Sequence, residues 1–122
     1  MSKVFNLNFK GYWRDCNKKG IPNISGIYIV YNCTYNSEKD TVTLNEIVYI
    51  GQAENVNERI SFHDKRGLFI KTCSGEGNLC YAIAEVDKDD LDLVENALVY
   101  AQQPPLNDRL KDKFNYPMAE FH

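Results

Sequence analysis

Two side chains that could take part in chemistry, a phenol and a guanidinium, lie near a corner between a predicted strand and a predicted helix. Tyr49 is in the run EIVYIG, whose apolar residues are typical of a strand that ends at Gly51. Arg59 follows where the sequence favours a helix. Tyrosine can transfer a proton, and arginine can bind an anion through a planar pair of donors. Taken singly, tyrosine also packs well in strands, and arginine is an ordinary solvated charge on a helix. The spacing of Tyr49 and Arg59 therefore does not by itself show that they form a site.

Tyr28, in the preceding predicted strand, and His63, four residues after Arg59, add two more polar groups to this region. On one helix, Arg59 and His63 would share a face because residues four apart are neighbours. The chain has eight tyrosines, so most of them must be structural. A helix histidine is also more often a satisfied polar residue than a ligand. Each of these residues is therefore a weak indication by itself.

Glu95 is an acid at the edge of an apolar stripe with helical spacing. The stripe consists of Leu91, Val94, Leu98 and Ala101. A carboxylate that is partly shielded from water requires a partner, because an unpaired charge is costly to desolvate. Two interpretations stay open: Glu95 is solvated at the rim of the helix, or it binds a cation or pairs with Arg59.

These positions depend on a predicted series of strands and helices. Strands are predicted at 26–33, 41–50 and 79–86, a turn at 36–40, helices at 53–66 and about 89–102, and a segment of either class at 67–73. Pro104 and Pro105 end the last helix. Residues 1–20 have no assignment, and residues 108–122 add a short helix or wrap the domain. The order predicts an α+β fold, in which helices flank a small, mostly antiparallel three-stranded sheet.

Composition predicts one domain and gives no simple indication of a partner. The 122 residues suffice for a single domain, no run reaches the length of a membrane span, and no secretory signal begins the chain, so we expect a cytoplasmic protein. The four cysteines form no closely spaced pair, which argues against a zinc site and a disulfide scaffold.

Charge is unevenly distributed along the chain. The net charge of −3 argues against simple nucleic-acid binding, which usually requires a basic surface. Residues 1–20, however, hold five cations against Asp15, and residues 85–92 hold five acids against Lys88. A basic face is therefore compatible with an acidic total.

Taken together, the polar residues carry a clear resemblance to a known family. Gly26-Ile27-Tyr28 and Tyr49-Ile50-Gly51 match, letter for letter, the paired tripeptides of the GIY-YIG nuclease superfamily. The segment QAENVNERISFH is similar to the helix of that family, with Arg59 at the arginine position and His63 one turn later.

The resemblance continues downstream. Glu95 falls on a later helix, as the metal-binding glutamate of the family does, and PPLN, which ends at Asn107, resembles the closing motif. The match covers about residues 24–107. It predicts a single GIY-YIG-like domain over residues 1–122, with extensions at 1–23 and 108–122.

The function that the resemblance implies is a metal-dependent endonuclease that hydrolyses DNA phosphodiester bonds with one divalent metal, Mg²⁺ or Mn²⁺. The implied catalytic residues are Tyr28, Tyr49, Arg59, His63, Glu95 and Asn107. Glu95 would also bind the metal, and Gly51 and Gln52 would contact the substrate. The implied partner is branched, nicked or duplex DNA and not a membrane, and the oligomeric state stays open.

Each implied role has a chemical reason. Arg59 would bind the phosphate and the charge that grows in the transition state, and Tyr49 would orient or deprotonate the attacking water. Tyr28 would position water or phosphate, and a neighbouring cation would lower the high pKa of a phenol. His63 would shuttle a proton or contact the phosphate, and Asn107 would fix the geometry by hydrogen bonds.

Two departures from the family pattern leave alternatives open. The connection between the tripeptides is long, so residues 32–46 are expected to hold an extended turn or an insertion, and Gln52 stands where some members carry lysine. The main alternative is a catalytically inactive GIY-YIG-fold module that binds nucleic acid or a protein partner. A second alternative is an enzyme for a small phosphorylated substrate, and a third is a chance resemblance.

Overall fold

A four-stranded antiparallel sheet forms the centre of the computed structural model, which describes residues 3–107 and 119–121. Its spatial order is β2-β5-β3-β4. These strands are, in chain order, β2 (Lys10–Arg14), β3 (Gly26–Asn36), β4 (Thr41–Ala53) and β5 (Leu79–Glu85). The prediction of three strands was wrong because it omitted β2, whose short KGYWR sequence is exposed over most of its length and does not alternate apolar with polar residues.

The sheet carries helices on both faces. Helices α1 (Val56–Ser61) and α2 (Arg66–Cys73) pack on one face, and α3 (Leu91–Gln102) packs on the other. Successive residues of a strand point to opposite faces. Tyr28 and Val30 of β3 therefore enter the core under α1 and α2, while the intervening Ile29 enters the core under α3.

The connection after β4 differs from the predicted single helix at 53–66. Strand β4 continues to Ala53, and α1 is only one and a half turns long. Asn55 caps α1, since its side chain accepts a hydrogen bond from the Glu58 backbone N–H at 3.1 Å. The chain leaves the helix at Phe62 before α2 begins. His63 consequently lies in the connection between two short helices and not on the helix that carries Arg59, as had been predicted.

The long connection between the two tripeptides is a hairpin rather than a large loop. Strands β3 and β4 stay paired out to Asn36 and Thr41, well beyond the last pairing of β3 with β5 at Asn32 and Leu79. The extra residues expected as an extended turn or insertion at 32–46 therefore lengthen two strands, and only residues 37–40 form the turn.

Helix α3 confirms the predicted helix in the region 89–102 and differs from it in detail. A short 3-10 helix at Lys88–Asp90 precedes α3. The predicted inward stripe is buried at Leu91, Val94 and Leu98, but Ala101 is exposed because the helix end projects past the sheet. None of the helices in the described part of the chain has the length and apolar character required to cross a bilayer.

The ends of the described chain meet in a second, small sheet. Strands β1 (Lys3–Phe5) and β6 (Ala119–Phe121) pair in parallel. The short helix or wrapping segment predicted for residues 108–122 falls mostly on 108–118 and 122, which lie outside the described residues.

A buried ion pair attaches α2 to the start of the domain. Asp15, at 5% exposure, accepts hydrogen bonds from Arg66 of α2 at 2.7 Å and from the Tyr81 hydroxyl of β5 at 2.6 Å. Burial raises the pKa of Asp15, but the bonds from Arg66 and Tyr81 outweigh burial and hold the pKa below its usual value. The ionised carboxylate therefore stabilises the position of α2.

The Asp15 network predicts an acid-sensitive contribution to folding stability. Because its folded pKa is lowered, the contribution is present above the unfolded pKa of about 3.9 and is lost as pH falls through the folded pKa. We expect Asp15→Asn to lower the free energy of unfolding by about 2 kcal/mol at neutral pH. Urea denaturation should show that this difference shrinks in acid, whereas Glu38→Gln, in the exposed hairpin turn, should have little effect at either pH. A difference that is independent of pH would contradict the assignment.

Candidate active site

The ring of Tyr28 lies against the backbone of Gly51. The two residues are paired in register on β3 and β4, and a Cβ atom on Gly51 would overlap the Tyr28 ring and hydroxyl. Gly26 has a comparable restriction, since a Cβ there would overlap the Ala84 carbonyl oxygen of β5. The glycines of both tripeptides are therefore required by close approach to a neighbouring strand, as glycine often is.

The hydroxyl of Tyr28 is bonded to His63. Tyr28 is 1% exposed, and its Oη lies 2.7 Å from His63 Nε2. The other ring nitrogen, Nδ1, accepts a hydrogen bond from the Lys65 backbone N–H at 3.0 Å. Because a backbone N–H can only donate, the proton of the neutral ring is on Nε2. His63 therefore donates to the Tyr28 oxygen.

His63 stays neutral over the usual pH range. Burial, followed by the charge of Arg59, lowers its pKa to about 4. Asp64 opposes this shift from 3.6 Å but does not reverse it. A buried neutral ring that holds Tyr28 is placed to orient that phenol, and the contact of His63 with a phosphate stays a prediction.

Arg59 bridges the buried tyrosine and the surface. Its guanidinium donates to Asp64 Oδ1 at 2.9 Å, and its positive charge acts on the Tyr28 hydroxyl. The side chain is 37% exposed, so its outer face is accessible to an anion. The bond from Arg59 lowers the pKa of Asp64 and keeps that carboxylate ionised. Asp64 thus holds Arg59 beside Tyr28.

The phenol of Tyr28 is not activated in the way the sequence suggested. Arg59 lowers its pKa, as predicted for a neighbouring cation, but burial raises it by more, and Tyr49 and Glu95 raise it further. Tyr28 is therefore protonated at neutral pH. His63 donates to its oxygen, and the charge of Arg59 acts on the same group.

Tyr49 stands beside this network in an aromatic cluster. Its ring centroid lies 6.2 Å from that of Tyr28, 5.5 Å from that of His63 and 5.2 Å from that of Phe69. Phe69 of α2 also packs on His63 at 4.9 Å. Phe69 therefore connects the helix attached through Asp15 to the orientation of the site.

Glu95 approaches from the opposite face of the sheet, at the edge strand β4. Gln52 Nε2 donates to Asp92 Oδ1 at 2.5 Å and lies 3.5 Å from Glu95 Oε1, which fixes this end of α3 against β4. Glu95 is half-buried, and its charge raises the pKa of Tyr28. The carboxylate therefore lies within electrostatic range of the tyrosine network, although it comes from the other layer of the fold.

Asn107 is bonded to the backbone of the edge strand. Its side-chain oxygen accepts from Ile50 N–H at 2.9 Å, and its amide nitrogen donates to the Ile50 carbonyl at 2.8 Å. The neighbouring Leu106 N–H donates to the Val48 carbonyl at 3.1 Å. Residues 104–107 thus satisfy polar groups of β4 that an edge strand would leave unpaired, directly beside Tyr49 and Gly51.

Three residues that support the site were not predicted from the sequence. Asp64, Phe69 and Asp92 hold Arg59, His63 and Gln52, respectively. An acid next to His63 was the one available signal for Asp64. Phe69 lay in the segment that suited either helix or strand, and Asp92 was counted only among the acids of residues 85–92.

The donor set suits a hard divalent cation. Glu95 provides a carboxylate, with Asp92 one helical turn away, and Mg²⁺ is usually held by one or two carboxylates while it retains several waters. Among the described residues there is no group of three or more histidine, cysteine or acidic side chains that would form a closed metal cage. Glu95 and Asp92 are therefore the described residues of this site that could hold such an ion.

Curated relatives share the sequence over most of this chain. UvrABC system protein C of Bdellovibrio bacteriovorus is 30% identical over 107 residues, and that of Mycoplasma mycoides subsp. mycoides is 31% identical over 100 residues. The alignments cover 84% and 80% of this chain, but the chain spans only 15% of the length of each relative. No family model matches the sequence.

A solved structure shares the fold. It is the GIY-YIG N-terminal endonuclease domain of UvrC from Thermotoga maritima, a point mutant bound to the catalytic divalent cation. The TM-score is 0.51 at 18% identity, over 75% of this chain and 91% of that domain. The comparison establishes a shared architecture.

The contact between Tyr28 and Gly51 predicts the effect of adding one methyl group. In Gly51→Ala the methyl group must displace the Tyr28 ring, which breaks its bond to His63 and hydrates the imidazole. We expect the pKa of His63, followed by NMR, to rise from about 4 toward its usual 6.5. Gly67→Ala on α2, where an added Cβ meets nothing within 4 Å, should leave the pKa unchanged. An unaltered His63 pKa in Gly51→Ala would refute this account of the glycine.

The lowered pKa of His63 also predicts a pH dependence of stability. Between about 6.5 and about 4 the unfolded chain binds a proton at this residue and the folded chain does not. Folding stability that is present above about 6.5 should therefore fall as pH approaches 4. Urea denaturation of the wild type and of His63→Gln should show this slope in the wild type and a shallower slope in the variant. Equal slopes would disprove it.

Proposed function

By its fold and its paired tripeptides the chain belongs to the GIY-YIG superfamily, and we propose that it is a metal-dependent endonuclease that hydrolyses DNA phosphodiester bonds. One observation carries the proposal: where β3 begins and β4 ends, Tyr28 is hydrogen-bonded to His63 beside the charge of Arg59 and within electrostatic range of Glu95. A surface used only for docking has no need for a phenol, a cation and an acid that converge from both layers of the fold.

Arg59 is the phosphate-binding residue in this proposal. Its guanidinium is held on one side by Tyr28 and Asp64 and is partly exposed on the other. A planar pair of N–H donors fits two phosphate oxygens and stabilises the charge that develops on them during hydrolysis. Asp64 keeps Arg59 in position through an ion pair at the surface, where the side chain of Asp64 is itself exposed.

The two tyrosines have different roles. Tyr28 is a protonated phenol whose oxygen accepts from His63, and its O–H is our candidate for positioning a phosphate oxygen or the attacking water. Tyr49 is less buried than Tyr28 and lies at the rim of the same cluster. Tyr49 is our candidate for orienting or deprotonating the water.

Glu95 is the proposed ligand of one divalent cation, Mg²⁺ or Mn²⁺. When bound, such an ion polarises the phosphate and lowers the pKa of a coordinated water. Gln52 links Glu95 and Asp92 to the edge of β4 and would restrict where the carboxylate can move. Asn107 maintains the backbone geometry of β4 next to the site.

The proposed substrate is DNA, and the similarity to the UvrC endonuclease domain of T. maritima supports a nuclease. The acids of residues 85–92 would repel phosphate from the α3 side of the domain, and the partly exposed Arg59 of α1 is where we expect a DNA phosphate to bind. This chain spans only 15% of the length of the UvrC relatives. Its substrate and its partners are therefore proposed and not taken over from those proteins.

Cleavage of supercoiled plasmid with Mg²⁺ or Mn²⁺ tests the function. We expect nicking by the wild type, and a loss of at least about a hundredfold in rate for Arg59→Ala and for Glu95→Gln, because each removes electrostatic stabilisation of the transition state. Calorimetric titration with Mn²⁺ should show a site in the wild type that Glu95→Gln abolishes.

Two matched variants control for nonspecific loss. Arg14→Ala removes an arginine that stacks on Tyr35 far from the site, and Asp89→Asn removes an exposed acid just before α3. Both should cleave like the wild type. A wild type that neither nicks DNA nor binds Mn²⁺ would favour the inactive binding module instead.

A further inference from the structure

Phe62 is an exposed aromatic residue beside Arg59. Its side chain is 82% exposed, more than any other large apolar residue in the described part of the chain. Isolated exposed apolar residues are common and need no explanation. Phe62 differs because, together with Arg59, it lines a concavity of about 400 Å³ on the surface of α1.

The backbone holds Phe62 firmly in this position. Ile60 and His63 on either side of it are buried, and the Phe62 N–H donates to the Glu58 carbonyl at 3.2 Å. Phe62 is therefore the C-cap residue of α1, and its side chain lines the same concavity as that of Arg59, three residues earlier. The backbone of Phe62 is thus anchored at the end of α1.

The other residues of the concavity select what could occupy it. Glu54 and Glu58 add two carboxylates to the ring of Phe62 and the single cation of Arg59. A second phosphate would be repelled by these acids. A nucleobase is uncharged and has an apolar face that stacks on an aromatic ring. Its amino groups can donate hydrogen bonds to a carboxylate.

We propose that Phe62 is a stacking platform for an unpaired nucleobase next to the phosphate held by Arg59. The proposal rests on the proposed function, which places a phosphate at Arg59, and it specifies the substrate as nucleic acid with an unpaired nucleotide at the cleavage position. A base in a continuous duplex has both faces covered by its neighbours, so only a base that has left the stack can occupy the concavity.

Binding measured without cleavage tests this proposal separately from the nuclease activity. The probe is a splayed DNA junction with 2-aminopurine at the first unpaired position, mixed with the full chain in EDTA, and its fluorescence falls when the base stacks. We expect quenching by the wild type, about tenfold weaker binding by Phe62→Ala, and retention by Phe62→Trp. A fully paired probe should bind the wild type and Phe62→Ala equally.

Tyr100→Ala is the matched control, since it removes a half-exposed aromatic ring from α3 on the opposite face of the sheet. We expect this variant to quench the 2-aminopurine fluorescence as strongly as the wild type does. Equal quenching by Phe62→Ala and wild type, or none by the wild type, would overturn the stacking proposal even if plasmid is cleaved. Quenching that depends on Phe62 in a protein that cuts no DNA would uphold it and refute the nuclease proposal instead.

Discussion

The contact between the Tyr28 ring and the bare backbone of Gly51 is the constraint on which the site depends. Only a residue without a side chain on β4 lets the tyrosine of β3 lie flat against its neighbouring strand. From that position the hydroxyl meets His63 and Arg59, which come from separate parts of the connection after β4. The pairing of β3 with β4 thus fixes the position of the Tyr28 hydroxyl, and His63 and Arg59 are arranged around that group.

The network is stabilised from outside by contacts that do no chemistry. Asp15 holds α2 through Arg66, and α2 presents Phe69 to the rings of His63 and Tyr49. A backbone N–H fixes the tautomer of His63, and Asp64 holds Arg59. Each side chain of the site therefore has a supporting partner, which is the condition for a preorganised electrostatic environment.

Burial and charge compete at Tyr28, and burial prevails. A nearby cation favours a phenolate, but the loss of hydration on a nearly inaccessible ring favours the phenol by more. The same burial keeps His63 neutral. The site consequently combines a neutral phenol and a neutral imidazole with the partly exposed cation of Arg59, and carboxylates hold Arg59 and Gln52.

The sequence by itself determined the α+β class, the three central strands, the last helix and the residues of the paired tripeptides, because alternation and glycine position are local properties of the chain. Only the tertiary structure decided that Lys10–Arg14 joins the sheet, that His63 leaves the helix of Arg59, and that Glu95 lies beside Gln52 within electrostatic range of Tyr28. These features arise from pairing and packing between distant segments, and the balance between desolvation and neighbouring charge at Tyr28 has the same origin.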